Sequence, residues 1–229
     1  MAAAPGGLNR FYTLLGGAAI VCLAVIGALV FRRPAVSIPA NPVIQVSDTS
    51  GFHGYLLGSD SAPLEVTEYA DYECPACQQW AVVQFPTIQE RLIQSGRVRW
   101  RYRDFPLEIH PHSRVAAHAA ACAEEQGKYW PMNQRIYSWE QRWPEKRDAS
   151  GVFRDMARGV GLDLARYDAC MTSARYAGRI QASELEGMQA GVQSTPTFLI
   201  NGRLYPGGNH VHYDMLKAML DSLGRQPGK

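Results

Sequence analysis

The feature that narrows the fold most is a cysteine pair, Cys74-Pro75-Ala76-Cys77, set between a stretch that alternates and a stretch with helical spacing. Upstream, Leu64-Glu65-Val66-Thr67-Glu68-Tyr69-Ala70 reads as a strand with Leu64, Val66, Glu68 and Ala70 on one face. Downstream, residues 78–94 carry Trp80, Val83, Ile88 and Leu92 at helical positions and end at Ser95-Gly96. Pro86 should kink that helix, because it lacks an N–H and crowds the preceding turn. Arg97-Val98-Arg99-Trp100-Arg101-Tyr102 alternates again, so the unit is strand, turn, helix, strand, the pattern of a parallel crossover.

Position at this junction dictates chemistry. Residues three apart on a helix lie about 5–6 Å from one another, a separation a disulfide tolerates, so the pair can open and close without backbone movement. Cys74 falls at the helix start, where unpaired N–H groups and the helix dipole favour a thiolate. The same spacing occurs in zinc sites and in plain structural disulfides. Zinc would need a second ligand pair, and His110 with His112 or His210 with His212 are the candidates; their arrangement is not that of a zinc site, so neither a metal nor another cofactor is expected.

Beyond His112 no comparable strand signal returns until about Val192. Instead amphipathic or Ala-rich stretches recur at 115–125, 129–139, 152–160, 164–171 and 179–190, read as four or five helices. Thr195-Pro196 then precedes Thr197-Phe198-Leu199-Ile200, an Asn201-Gly202 hairpin turn, Leu204-Tyr205 and a last helix at about 213–223. A proline at the head of a strand fits a cis bond or an edge position. The fold class is α/β, one domain over residues 51–229 with a helical insertion at about 111–192 between its two halves.

Charge is unevenly placed. Residues 1–40 hold Arg10, Arg32 and Arg33 and no acid, which leaves 20 of the 23 bases to face all 21 acids. A near-neutral folded part gives no support to nucleic-acid binding, which needs clustered bases. Residues 12–31 are uncharged and about 30 Å long as a helix, enough for a bilayer core, so they read as a transmembrane helix following a cytoplasmic stretch at 1–11. A cleaved signal peptide or a buried core helix are the alternatives; the run exceeds a usual signal core, and the best cleavage site, Ala35-Val36-Ser37, lies behind two arginines. Residues 32–50, with Pro34, Pro39 and Pro42, read as an extended tether.

The segments EYADYECPAC (68–77) and GVQSTPTFLINGR (191–203) resemble the thioredoxin superfamily, in particular the DsbA-like thiol:disulfide oxidoreductases that carry a helical insertion. The likeness runs from about Leu57 to Leu223 and includes AACAEEQGKYW and YDACMTSARY, which look like that family's inserted helices. It implies that Cys74 is the exposed nucleophile and Cys77 the buried resolving thiol. Thr195-Pro196 would be a cis-proline loop that binds an extended substrate together with Pro75 and Ala76. Glu68 falls where the family has a buried acid able to exchange a proton with Cys77; a solvated edge glutamate is the other reading. The sequence departs from the strongest oxidants, which have histidine where Ala76 stands, and Asp71 and Glu73 add negative charge, so Cys74 should be less acidic than theirs.

The resemblance implies a dithiol oxidase acting on unfolded or reduced exported proteins and re-oxidised by a quinone-linked membrane partner of the DsbB or VKOR kind. A reductase or isomerase, or a non-catalytic module binding metal or client chains, are the alternatives. With Cys22 in the apolar run and Cys74 paired to Cys77, a structural Cys122–Cys170 disulfide is expected; two free buried thiols are the competing reading. Such a bond would put the domain in an extracytoplasmic, oxidising compartment with the N-terminus inside. Among the aromatics, Tyr129, Trp130, Tyr137, Trp139 and Trp143 are read mostly as core of the insertion, and His110 and His112 as loop and cap residues.

Overall fold

The protein is seen here as a computed structural model, which describes residues 6–31, 36–138 and 142–224. The chain divides into two units, residues 1–35 and 36–229. In the first, Gly6–Phe31 is a single helix of 26 residues, α1, whose side chains are described from residue 12 to residue 26. Among the described residues no helix is long and apolar enough to cross a membrane.

The second unit is built on a five-stranded sheet in the order β1-β3-β2-β4-β5. Its strands are β1 (Tyr55–Leu57), β2 (Leu64–Ala70), β3 (Val98–Asp104), β4 (Thr197–Ile200) and β5 (Arg203–Pro206). β2 and β3 run parallel, joined by the expected crossover, and the other neighbours are antiparallel. Central β2 is covered on both faces, with Leu64, Val66, Glu68 and Ala70 buried on one and Thr67 and Tyr69 on the other. Strand β1, three residues long, has too little alternation to be read from sequence; it pairs at the sheet edge with β3.

After a short helix α2 (Val46–Thr49), the crossover helix begins as α3 (Pro75–Val83). Pro75 at its first turn suits the helix, since that N–H has no intrahelical partner in any case. Pro86 cannot donate to the turn behind it, and the chain re-forms as α4 (Phe85–Ile88) followed by a π-helical turn, Gln89–Ile93. Among the described residues five α-helices make the insertion: α5 (Ser113–Glu124), α6 (Tyr129–Tyr137), α7 (Ser150–Gly159), α8 (Leu164–Ser173) and α9 (Ala177–Gln189). The last, α10 (Tyr213–Leu223), packs on the sheet with Leu216 and Leu220 in one core with Trp80, Trp100, Phe198 and Ile200. A second core centres on the insertion and includes Tyr129, Tyr137, Trp143 and Cys77. Trp130 is half-buried, its Nε1 donating to the Leu56 carbonyl at 2.8 Å, and Trp139 lies outside the described residues.

The stretch expected as an extended tether belongs largely to the folded unit. Ile38 is buried in the core of the insertion, with Val36 and Phe52 packed against it, and the Val36 amide donates to Ser150 Oγ at 3.2 Å. The reason is apolar burial. Val36, Ile38 and Phe52 remove surface from water, which outweighs the preference of the neighbouring prolines for a solvated, extended chain.

Candidate active site

Two chain segments meet at the cysteine pair. The β2–α3 junction supplies it: Cys74 is the N-cap of α3 with extended backbone angles, and Cys77 lies one turn in, on the buried face. The β4 approach supplies a cis Thr195–Pro196 bond, and the Cys74 thiol donates to the Thr195 carbonyl at 3.5 Å. Both cysteines are free thiols, flanked by exposed Pro75 and Ala76. Cys74 is less open than the family resemblance implied: it is 7% exposed, because the loop carrying Thr195 closes over it, while Cys77 is 0% exposed.

The two sulfurs are driven apart in acidity. Cys74 is lowered to about 5, chiefly by a hydrogen bond from the Cys77 thiol, against the cost of burial, with the Thr195 side chain and the N–H groups of Cys77 and Ala76 adding to the effect. Those N–H groups are unpaired donors of a helix start, which favours an anion there. Cys77 goes the other way, raised well above its ordinary value first by burial and then by the neighbouring Cys74. One sulfur is therefore set to be a thiolate and its partner to keep its proton.

Glu68 is 3% exposed in central β2, the strand that leads into the cysteine turn, which rules out a solvated edge position. Burial raises its carboxyl to about 8, and the opposing effect is the Trp100 indole N–H, which donates to Oε2 at 2.9 Å. Oε1 has no partner. Trp100 had been read only as a strand residue; its role as the carboxyl's partner follows from parallel register, which places Val66 beside Trp100 and Glu68 beside Tyr102.

Asp71 and Glu73 are near Cys74 in sequence, yet they are not among the main causes of its acidity. Both carboxylates point into the domain. Asp71 accepts from the amides of Glu73 (2.8 Å) and Leu107 (2.9 Å), from His110 Nδ1 (2.7 Å) and from the Ser113 hydroxyl. Glu73 accepts from the His112 amide at 2.7 Å. The expected negative field at the nucleophile is thus absorbed in pinning the active-site turn to the loop that leads into the insertion. His110 and His112 serve that loop, the latter also as the N-cap of α5.

Cys122 and Cys170 are joined by a disulfide between α5 and α8, with S–S 2.05 Å. Among the described residues, the one group of three ligand-type side chains brought within 4.8 Å is His118 with these two cysteines. Their sulfurs are bonded to each other, which leaves His118 alone. Burial lowers His118 to about 4, and its ring accepts from the Tyr176 amide at 3.3 Å.

A helix-start thiolate beside a protonated thiol, held under a cis-proline loop, is the arrangement that thiol–disulfide exchange requires. Residues 52–222 match the family model described as Thioredoxin, and the chain belongs to that family. A curated relative, the Na(+)/H(+) antiporter NhaA 3 of Salinispora tropica, is 36% identical over 69% of this chain but 23% of its own length. The chain thus spans about a quarter of the antiporter. A probable disulfide bond formation protein D of Bacillus anthracis is 25% identical over 72% of this chain and 76% of its own. Among solved structures, oxidised BdbD of Bacillus subtilis superposes with a TM-score of 0.65 at 21% identity, covering 83% of this chain and 98% of that one, a likeness of fold.

Proposed function

We propose that this chain is a membrane-tethered, extracytoplasmic dithiol oxidase that introduces disulfides into reduced exported proteins. The observation that carries the direction is the acidity of Cys74, about 5. A sulfur this easily held as a thiolate is a good leaving group and stabilises the reduced enzyme, so the disulfide gives up its oxidising equivalents readily. A client thiolate attacks Cys74 of the Cys74–Cys77 disulfide and releases Cys77. The client's second thiolate then attacks its own sulfur in the mixed disulfide, and Cys74 departs. Thr195-Pro196, Pro75 and Ala76 would offer the surface on which an extended client lies, and a quinone-linked membrane partner of the DsbB or VKOR kind would restore the disulfide. The Cys122–Cys170 bond supports an oxidising compartment. The uncharged run at residues 12–31 is the sequence feature that supports an anchor there.

The Cys74–Cys77 reduction potential tests the direction. It should fall between the about −270 mV of thioredoxin and the about −120 mV of DsbA, since the Cys74 acidity falls between theirs. A value at the thioredoxin end would replace the oxidase with a reductase. Loss of no activity on Cys74→Ser would replace both with a binding module. For the anchor, protease added to intact spheroplasts should digest the domain, and full protection would refute an extracytoplasmic placement.

A further inference from the structure

Two clefts flank the irregular turn that follows the crossover helix. The larger, about 450 Å³, opens where α3 and α4 face α6, with Ala81, Val82, Phe85 and Tyr137 as apolar walls. The smaller, about 290 Å³, lies at the β1 edge beside Leu57, Gly58 and Ile93. Gln89 and Gln94 line both, so the two run together as one groove over the π-helical turn. The turn itself makes this possible. Its Gln94 amide donates to the Gln89 carbonyl at 2.9 Å, and a turn closed at five residues brings this pair to one side, where 3.6 residues per turn would separate them.

The groove carries amides of its own. Gln134 Nε2 of α6 donates to Gln89 Oε1 at 2.9 Å, from one wall of the larger cleft to the other, which leaves that pair with an acceptor and donors for an occupant. Asn133 is 4% exposed, lines the same cleft and gives Nδ2 to the Tyr72 hydroxyl at 2.9 Å, so Oδ1 is the atom it offers. Glu90 is the charged lining residue; it is exposed and makes no ion pair among the described residues. With no base lining either cleft, a phosphate or carboxylate would meet no counter-charge. A peptide suits the apolar walls and the amides, and a Lys or Arg on it suits Glu90.

This groove begins beside the nucleophile. Cys74, Gln78, Ala81 and Phe85 recur at four, three and four residues, which sets them along one side of the helical run. Ala81 and Tyr137 also pack in the core that contains Cys74. The helix rises about 10 Å from Cys74 to Ala81, a span that an extended chain covers in about three residues. From there the groove leads toward β3 and β1, whereas Thr195-Pro196 lies on the β4 side of β2.

We propose that this groove is a second client subsite. It takes the extended chain about three residues from the reacting cysteine, with an apolar side chain between Val82 and Tyr137 and a Lys or Arg beside it against Glu90. The proposal rests on the exchange reading above and adds to the Thr195-Pro196 surface a basis for choosing among clients.

Reduced dithiol peptides with Phe-Lys, Gly-Lys or Phe-Glu placed about three residues beyond the outer cysteine test it on the full, oxidised chain. The Phe-Lys peptide should be oxidised at least about fivefold faster than Gly-Lys, for an apolar side chain taken from water. It should exceed Phe-Glu by about two- to fivefold, the range of an exposed ion pair. In Glu90→Lys that charge preference should invert, and Glu90 is exposed, so the fold is not at stake. A benzophenone in place of the Phe ring should crosslink to α3 and α6 on illumination. Equal rates for the three peptides, a charge preference unchanged in Glu90→Lys, or crosslinks confined to α10 would each overturn the proposal. A chain that oxidises neither these peptides nor reduced glutathione would instead take down the exchange reading itself, and this inference with it.

Discussion

Glu68 shows how burial turns an ordinary side chain into a proton store. Folded, it keeps its proton up to about pH 8, against 4.5 for an unperturbed glutamate. Between those values the folded state binds the additional proton, so stability is full below the unfolded value and is lost as pH rises through the folded one. Glu68→Gln cannot ionise and should remove this dependence. Urea unfolding at about pH 5 and about pH 8 should show wild type losing a few kcal/mol relative to the variant over that interval. Asp104, raised to about 7 by burial, slopes the same way in both proteins and cancels in the comparison. Equal pH dependence in the two would mean that Glu68 is solvated. The cysteine spacing, Glu68 and Thr195-Pro196 were legible in the sequence because each sits within a few residues of a strand end. Trp100 as the partner of Glu68 was not, since that contact comes from strand register.

Among the elements, the insertion is where covalent chemistry adds most. The Cys122–Cys170 bond joins α5 to α8 across 48 positions of sequence, so it removes roughly 4 kcal/mol of unfolded-chain entropy. The double variant Cys122→Ala, Cys170→Ala should unfold at lower denaturant by about that amount while the Cys74–Cys77 pair still exchanges. A loss of exchange at unchanged stability would assign that bond a redox role. Helix positions in the insertion followed from apolar spacing, and α10 was read with its observed bounds, Tyr213–Leu223. The break at Gln84 also followed from Pro86. The π-helical turn at Gln89–Ile93 and the edge strand β1 had no local signal, because each exists through its packing on β3 and its neighbours.

For the molecule as a whole, the boundary between the N-terminal helix and the folded unit lies at residues 35 and 36, ahead of Pro39 and Pro42, two of the three prolines that marked a tether. A chain beginning at Val36 should therefore fold with its redox couple intact, whereas one beginning at Gly51 should lose stability, since Ile38 is buried in the core of the insertion. Complete burial of a side chain of that size contributes about 1.5–3 kcal/mol; equal thermal midpoints for the two truncations would show that the segment is a tether after all. Local patterning sufficed for the interrupted α/β architecture, the four longer strands and the identity of the reactive pair, because strand alternation, helix periodicity and proline chemistry act over a few residues. The direction in which Asp71 and Glu73 point, the approach of the Thr195 carbonyl to Cys74 and the apolar setting that protonates Glu68 required the folded chain. Each of these depends on which groups lose water together, and desolvation is a property of neighbours distant in sequence.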